Sequence, residues 1–315
     1  MNLAPAPAPA RAFVPFLDEI DGTCCVPAEA SAHDIRARVA GTPLRFPLVL
    51  DPGATLEEHV VASGFAPASS RFGPYCDNLM GMNWRLLDGR IVRIGERVVK
   101  STTGYDWFRF LLHTGRRFGR PLDYVIRLRP DCGTTGVFLM TGPSETVERS
   151  AALLLRDSWM HWFDAVDVVA LGDRRTLRVT VHCPEAEWNI FETYLSAFAI
   201  KQGLVLDVQR DTKMPADGLP DAVFKTSPEH VLALAGELVR TDGVRCVVLF
   251  YYGVVHAYVP GRADLSARVP ALAQAHVAGL QALGGGWHSR HVAPPAPSAD
   301  ETAWIAVLEQ SLRGP

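Results

Sequence analysis

The stretch from Asn83 to Pro130 constrains the fold of this chain more than any other segment. Two short runs with strand-like composition flank Asp88-Gly89, a dipeptide typical of tight β-hairpin turns. An apolar helical run follows and ends near Gly115, and a further strand from Leu122 to Leu128 is closed by a proline. This order of a hairpin, a helix and a further strand is the pattern on which the fold prediction for the first domain rests.

Length and composition exclude several classes of protein. The chain has 315 residues, enough for two domains, and 48% hydrophobic and 21% charged residues, as in soluble globular proteins. A formal net charge of −3 provides no general attraction to nucleic acid or to an anionic membrane. No apolar run reaches the roughly 18 residues that a membrane helix needs, and the N-terminus lacks the apolar core of a signal peptide. We therefore expect a cytoplasmic protein with reduced cysteines.

Changes of pattern divide the chain into four segments. Residues 1–22 begin with alternating alanine and proline, which predicts a disordered tail, and residues 23–131 form a first domain. Residues 132–292 alternate strands with longer helices in two halves, which predicts an α+β cap with its helices on one face of a sheet. Residues 293–315 read as a proline-rich linker and a C-terminal helix.

Specific short elements follow from capping and hydrophobic patterns in the first domain. Ser31 with Asp34 has the spacing of a capping box, and Thr55 begins a helix that ends at Gly64. The apolar run Phe46–Leu50 predicts a buried strand.

A motif next to the hairpin identifies a family. Three residues separate Lys100 from Gly104, Tyr105 and Asp106, which come directly before the apolar helix. With the Asp-Gly-Arg hairpin before it and Gly119 after it, this order resembles FAD-linked oxidases of the vanillyl-alcohol oxidase type. Within them it is most similar to the FAD-binding E subunit of bacterial glycolate oxidase. The resemblance spans roughly residues 45–312 and implies a shortened PCMH-type FAD-binding domain followed by a ferredoxin-like α+β cap.

The resemblance also implies which residues lie beside the cofactor, FAD. A segment from Ser70 to Gly81 is similar to a family turn that carries arginine, two glycines and aspartate. Together with the motif after Lys100, it implies these cofactor-binding residues: Arg71, Gly73, Asp77, Gly81, Gly104, Tyr105, Asp106 and Gly119.

This chain departs from the family at the turns expected to hold the flavin. His113 and Arg116 stand where the family has glycines, and the glycine-rich segments that cradle the pyrophosphate with backbone N–H groups are replaced by sequences containing proline. Two alternatives to FAD binding therefore stay open. The chain could be a flavin-free subunit that supports a catalytic flavoprotein, or a module in which Arg116, Arg117 and Arg120 bind another small anionic ligand.

The resemblance implies oxidation of a 2-hydroxy acid by hydride transfer to flavin N5. His182, Tyr252 and His256 are candidates to face the flavin from the cap, and the catalytic residues stay unassigned. Implied partners are a larger flavoprotein subunit and an iron–sulfur subunit, with peripheral association with the inner membrane through such a complex as an alternative location.

The ten histidines raise the question of a metal site. His288 and His291 are three residues apart, and His161, His182 and His256 fall in the predicted cap. No paired metal-binding signature accompanies them, so we expect no metal site.

Overall fold

A computed structural model describes residues 15–62, 64–95, 107–113, 117–212, 217–241, 243–261, 267–274, 286–289 and 291. Strands and helices alternate throughout these ranges, and the sheet strands pair antiparallel. The α+β fold class predicted from the sequence is therefore confirmed.

The strands are β1 (Leu17–Asp18), β2 (Thr23–Pro27), β3 (Leu44–Arg45), β4 (Leu79–Leu86), β5 (Ile91–Gly95), β6 (Gly119–Arg127), β7 (Arg129–Pro130), β8 (Thr134–Thr141), β9 (Phe163–Leu171), β10 (Arg174–Cys183), β11 (Val205–Arg210), β12 (Ala222–Lys225), β13 (Arg245–Leu249), β14 (Val254–Tyr258) and β15 (Gly286–His288). The α-helices are α1 (Ala32–Val39), α2 (Leu56–Ala62), α3 (Ser69–Phe72), α4 (Trp107–His113), α5 (Ser144–Arg156), α6 (Trp188–Gln202) and α7 (Val231–Leu238), and residues 267–274 are also helical. Short 3-10 helices cover Tyr75–Asn78, Ser158–Trp162, Glu185–Glu187 and Phe250–Tyr252.

The first sheet has the strand order β1-β2-β6-β4-β5 among the described residues. Helices α1, α2 and α4 contribute apolar side chains to the same core as the strands, with Trp84 and Tyr124 at its centre. Strand β1 lies inside the segment predicted as a disordered tail and pairs with β2.

The second sheet has the order β11-β8-β10-β9-β13-β14-β12-β15 within the described ranges. Helices α5, α6 and α7 pack on one face of it, since residues such as Val147, Ala151 and Leu154 recur at helical spacing and are buried against the strands. We call the opposite face of this sheet the open face. Because side chains alternate along a strand, every second residue of β9, β10, β13 and β14 lies on the open face. The predicted domain boundary after residue 131 falls between β7 and β8.

Capping signals in the sequence locate two helix starts correctly. Ser31 and Asp34 form the reciprocal capping box at the start of α1. Thr55 and Glu58 exchange the same type of hydrogen bonds before α2. These local contacts satisfy backbone N–H groups that have no partner within the helix, which is why the sequence predicts them well.

Two predicted strands differ from the structure. Residues Phe46–Leu50 form no strand. Leu48 and Leu50 are buried in the first core, while the carbonyl of Val49 accepts a hydrogen bond from the Tyr75 hydroxyl instead of from a neighbouring strand. The sequence pattern predicts a single strand from Arg245 to Tyr252, but β13 ends at Leu249, because a 3-10 turn closed by Gly253 at φ +64° redirects the chain.

The hairpin at Asp88-Gly89 joins β4 and β5 as predicted. Its turn is closed by two backbone hydrogen bonds, from the Leu86 amide to the Arg90 carbonyl and from the Gly89 amide to the Leu86 carbonyl. The Asp88 carboxylate also accepts from the Arg90 amide at 3.0 Å. In the described residues, no helix combines the length and the apolar character needed to cross a bilayer.

Gly119 is the tightest glycine of the first sheet. Its φ is +131°, and a Cβ there would lie 2.0 Å from the Arg85 carbonyl oxygen and 2.7 Å from Trp84 Nε1. Trp84 Nε1 itself donates to the Phe118 carbonyl at 3.1 Å. The close approach of β6 to β4 therefore depends on a missing side chain at residue 119.

Gly119→Ala should lower the free energy of unfolding by roughly 3 kcal/mol, because backbone strain and a clash with Arg85 act together. Gly89→Ala is the matched control. Gly89 also has a positive φ of +88°, but no atom lies within 4 Å of its added Cβ. Gly89→Ala should lower the free energy of unfolding by about 1–2 kcal/mol, which is the contribution of backbone strain alone. Urea unfolding of both variants measures the difference, and equal costs would show that Gly119 does not determine the strand packing.

Candidate functional site

The open face of the second sheet packs against residues 45–75, and we call this contact the seam. An apolar cluster of Val223, Val247 and Val254 on the sheet meets Phe65 from the other side. The rings of Phe65 and Tyr252 lie 4.9 Å apart between centroids. The seam thus joins the two predicted domains through direct side-chain packing.

A buried carboxylate, Asp164 in β9, crosses the seam. Its Oδ2 accepts from Arg45 at 2.5 Å and its Oδ1 accepts from Arg71 at 2.6 Å. Asp164 is 1% exposed, and Arg71 also donates to the carbonyl of Trp162 at 3.3 Å. Charge-assisted bonds of this length are among the strongest in proteins, and they hold residues from β3 and α3 against β9.

A cavity of about 30 Å³ lies in the seam beside these contacts. This volume is enough for one or two water molecules. Its lining mixes apolar and titratable side chains: Val49, Asp51, His59, Phe65, Ala66, Pro67, Tyr75, Asp217, Gly218, Pro220, His256 and Tyr258.

His59 is held on one side of this cavity as a neutral imidazole. The Asp51 amide donates to His59 Nε2 at 2.8 Å, so the ring proton resides on Nδ1, which lies 3.3 Å from the Tyr75 hydroxyl. The Tyr75 hydroxyl in turn donates to the Val49 carbonyl at 2.6 Å. Burial lowers the pKa of His59 to about 4, more than the nearby carboxylates raise it.

His256 lies on the opposite side of the cavity, on the open face. It is buried, and its Nε2 has no hydrogen-bond partner among the described residues. Burial lowers the pKa of His256 to about 3, although the charge of Asp217 acts in the opposite direction. A buried ring nitrogen without a partner is costly, so His256 Nε2 is the least satisfied polar atom of the described cavity lining.

A charge network lies next to His256 on the open face. Asp217 accepts from Arg178 at 2.6 Å and from Arg245 at 2.7 Å, and Arg178 also donates to Asp167 at 2.9 Å. Burial would raise the pKa of Asp217, but the two arginines hold it below its usual value. Two buried carboxylates are therefore balanced by two arginines, which leaves this part of the face nearly neutral.

Three of the predicted cofactor residues come together in one short segment. Arg71 binds Asp164 as described above. Gly73 has φ +85°, and a Cβ there would lie 2.9 Å from the Asp77 carboxylate. Asp77 pairs with Arg109 of α4 at 2.6 Å, which connects this segment to the helix that follows the Gly-Tyr-Asp motif.

The other predicted cofactor residues are more scattered. Gly81 pairs with Gly95 across the hairpin, where a Cβ on Gly95 would lie 2.8 Å from the Gly81 Cα. Gly119 packs against Arg85, so protein contacts suffice to explain this glycine. Gly104, Tyr105 and Asp106 lie outside the described residues. The cofactor role of all these residues stays a prediction.

The arginines considered for another anionic ligand are exposed where they are described. Arg117 and Arg120 lie on the surface, and Arg120 is 3.9 Å from Glu29, while Arg116 lies outside the described residues.

The three cap residues expected to face a flavin all lie at the seam side of the second sheet. The Cys132 amide donates to His182 Nε2 at 2.8 Å, and His182 Nδ1 lies 2.6 Å from the Thr135 hydroxyl, so both ring nitrogens are engaged. Tyr252 packs on Phe65. Of the two histidines, His256 has a ring nitrogen, Nε2, without a partner in the described structure. Within the described residues, no three His, Cys, Asp or Glu side chains are grouped as for a metal ion.

Asp164 and the network around Asp217 were not predicted from the sequence. A signal was present, since Asp164 and Asp167 interrupt the otherwise apolar strand β9. Buried charges require partners, so such a strand predicts cations nearby. The identity of those cations depends on residues about a hundred positions away.

Comparison with known proteins gives a fold but no family membership. No family model matches the chain, and no curated protein matches it. Among solved structures, it is similar to an alkyldihydroxyacetonephosphate synthase with a TM-score of 0.62 and 10% identity, covering 96% of this chain and 64% of that one. It is also similar to the VAO-type flavoprotein MtVAO615 from Myceliophthora thermophila C1 (TM-score 0.58, 15% identity), covering 84% of this chain and 59% of that one.

A third similar structure is xylooligosaccharide oxidase from Myceliophthora thermophila C1 in complex with xylobiose. The TM-score is 0.62 at 17% identity, and the match covers 92% of this chain and 73% of the oxidase. The chain thus spans 64% and 59% of the length of the first two proteins. The fold of vanillyl-alcohol-oxidase-type flavoproteins is confirmed, whereas the closer likeness to the glycolate oxidase E subunit stays a prediction.

The described part of the seam does not fit a flavin. Pockets for ligands of that size usually measure ~300–1,000 Å³. The seam cavity is about 30 Å³, and Arg71 is engaged with the protein's own Asp164. The glycines at residues 73, 95 and 119 lie against protein atoms, so they form no open cradle for a phosphate.

Asp164→Asn should lower the free energy of unfolding by about 3 kcal/mol, because Arg45 and Arg71 would lose their shared carboxylate at a partly buried position. Asp88→Asn provides the matched control, since the Asp88–Arg90 pair is equally short at 2.7 Å but exposed. Its effect should be much smaller, because water screens an exposed ion pair. Denaturant unfolding compares the two, and similar losses would show that the seam pair contributes no more than a surface pair.

His256→Leu should make the protein less sensitive to acid. A histidine with a folded pKa of about 3 binds protons in the unfolded chain first, so its contribution to stability is present above the unfolded pKa near 6.5 and is lost as pH falls toward 3. Between pH 7 and pH 5, the wild type should lose about 2 kcal/mol more than the variant.

The measurement is urea unfolding at several pH values. His33→Gln, which removes an exposed histidine of α1, is the matched control for the loss of a histidine side chain. A His256→Leu profile that coincides with the wild type would show that His256 does not titrate abnormally.

Proposed function

We propose that this chain is a flavin-free subunit of a flavin-linked oxidoreductase and that it supports a catalytic flavoprotein partner. The observation that carries the proposal is the closed seam. Arg71, which the family resemblance assigns to the cofactor, is bound to Asp164 together with Arg45. In the described residues, the fold is similar to that of a VAO-type flavoprotein, but the protein's own side chains fill the contact between its domains and leave a cavity of about 30 Å³ at the seam.

Exposed aromatic residues next to the seam support a protein partner. Trp162 is 57% exposed, although its own carbonyl takes part in the seam through Arg71. Tyr251 is 60% exposed and its ring lies 5.0 Å from Tyr252. Exposed tryptophan and tyrosine are the residues that contribute most to protein interfaces. In this proposal the partner is a larger flavoprotein subunit that oxidises a 2-hydroxy acid, with an iron–sulfur subunit in the same complex.

The second candidate function is the one that the family resemblance implies directly. In it, the chain itself binds FAD and oxidises a 2-hydroxy acid. The observation in its favour is the pairing of Asp77 with Arg109, because it joins the Arg71–Asp77 segment to α4, the helix directly after Gly104, Tyr105 and Asp106.

An absorption spectrum between about 350 and 500 nm separates the two candidates. The purified chain is mixed with FAD and desalted. A flavin-free subunit should come through without flavin bands. Bands that persist would contradict our proposal and favour the second candidate, and Gly104→Val should then remove them if the motif binds the cofactor.

Co-purification with the candidate flavoprotein subunit tests the partner directly. The complex should form with the wild-type chain, and Trp162→Ser combined with Tyr251→Ser should reduce it at least tenfold. Ile200→Ser is the matched control, since Ile200 is 79% exposed on α6, on the far side of the second sheet. If the wild-type chain, the double variant and Ile200→Ser all co-purify equally with the flavoprotein subunit, the seam side is not the interface.

A further inference from the structure

Three arginines surround one aromatic ring at the edge of the seam. The guanidinium carbons of Arg45, Arg71 and Arg129 lie 5.7, 5.0 and 5.9 Å from the centroid of the Phe72 ring. Arg45 and Arg129 are neighbours through the pairing of β3 with β7, and Arg71 and Phe72 belong to α3. Such cation–π contacts hold guanidinium groups in place without neutralising their charge.

The carboxylates near this cluster do not neutralise the charge of its three arginines. Arg45 and Arg71 share the single carboxylate of Asp164. Arg129 has no carboxylate within ion-pair distance in the described part of the chain. Asp131, two residues further along the chain, lies 3.1 Å from His182. Three guanidinium groups therefore face one carboxylate.

Two N–H donors of the cluster are also left unused. Arg45 Nε and Arg129 Nε are both buried, and neither has an acceptor among the described residues. The pKa of Arg129 is lowered, first by burial and then by the positive charges of Arg127 and Arg71. A like-charged group of arginines with buried, unsatisfied donors is unfavourable unless an anion joins it.

We propose that Arg45, Arg71 and Arg129 form a binding site for a phosphate group. After Asp164 is counted, the cluster keeps a charge of about +2, which matches the roughly −1.5 to −2 charge of a phosphate monoester. The planar fork of arginine suits phosphate oxygens better than any other side chain, and Nε is one of the donors of that fork. The site does not depend on the proposed function.

The phosphate group can come from two sources with the same chemistry. One is free inorganic phosphate or pyrophosphate, and the other is the diphosphate of a nucleotide. In either case Arg129, whose Nε has no protein acceptor in the described structure, provides binding that a purely structural arginine would not provide.

Isothermal titration of the full chain with inorganic phosphate, pyrophosphate and ADP tests the site. We expect saturable binding of at least one of the three, weakened at least tenfold by Arg129→Gln. Arg149→Gln, at an exposed arginine of α5 on the helix-covered face of the second sheet, should leave it unchanged. Tighter binding of ADP than of pyrophosphate would identify a nucleotide as the source, and equal binding would identify the free anion.

Two results would overturn the proposal. One is the absence of binding of all three compounds by the wild-type protein. The other is binding that Arg129→Gln and Arg149→Gln affect equally, which would indicate general attraction to positive charge. Circular dichroism melting of Arg129→Gln without ligand establishes that the variant is folded, so a loss of binding reports on the site.

Discussion

The buried carboxylate of Asp164 is the constraint on which the arrangement of this protein depends. Its strand belongs to the second sheet, but both of its cationic partners belong to the N-terminal half of the chain. A carboxylate in a 1% exposed position is tolerated when cations and hydrogen-bond donors surround it. Asp164 is therefore satisfied in the described structure when β3 and α3 lie against β9. That requirement brings Phe65, His59 and Tyr75 onto the open face and creates the seam.

The two faces of the second sheet are stabilised by different kinds of contact. The helix-covered face is an apolar core, and the regular spacing of apolar residues along α5 and α6 is sufficient to bury them there. The open face carries charges, and most of them are balanced locally, as Asp167 and Asp217 are by Arg178 and Arg245. His256 is an uncharged residue on this face that lines the cavity, and its buried Nε2 has no partner in the described chain.

A flavoprotein fold does not by itself imply a bound flavin, since function resides in the residues of a site rather than in the architecture. Here the fold is that of VAO-type flavoproteins, while the side chains at the seam bind one another. The arginine cluster around Phe72 includes two of these side chains, Arg45 and Arg71, and still retains positive charge and unused donors. These two features explain why we place a protein partner and a phosphate group, rather than a flavin, at the surface of this chain.

The sequence alone determined the α+β class, the hairpin at Asp88-Gly89 and the capped start of α1, because each rests on contacts within a few residues. It was ambiguous for Phe46–Leu50, since an apolar run shows burial but does not distinguish a strand from an irregular segment. The charged positions of β9 were visible as well. Their partners were not, because Arg71 and Arg45 are 93 and 119 residues away from Asp164 along the chain. Pairing over such distances follows from how the sheets pack, and that was decided by the tertiary structure.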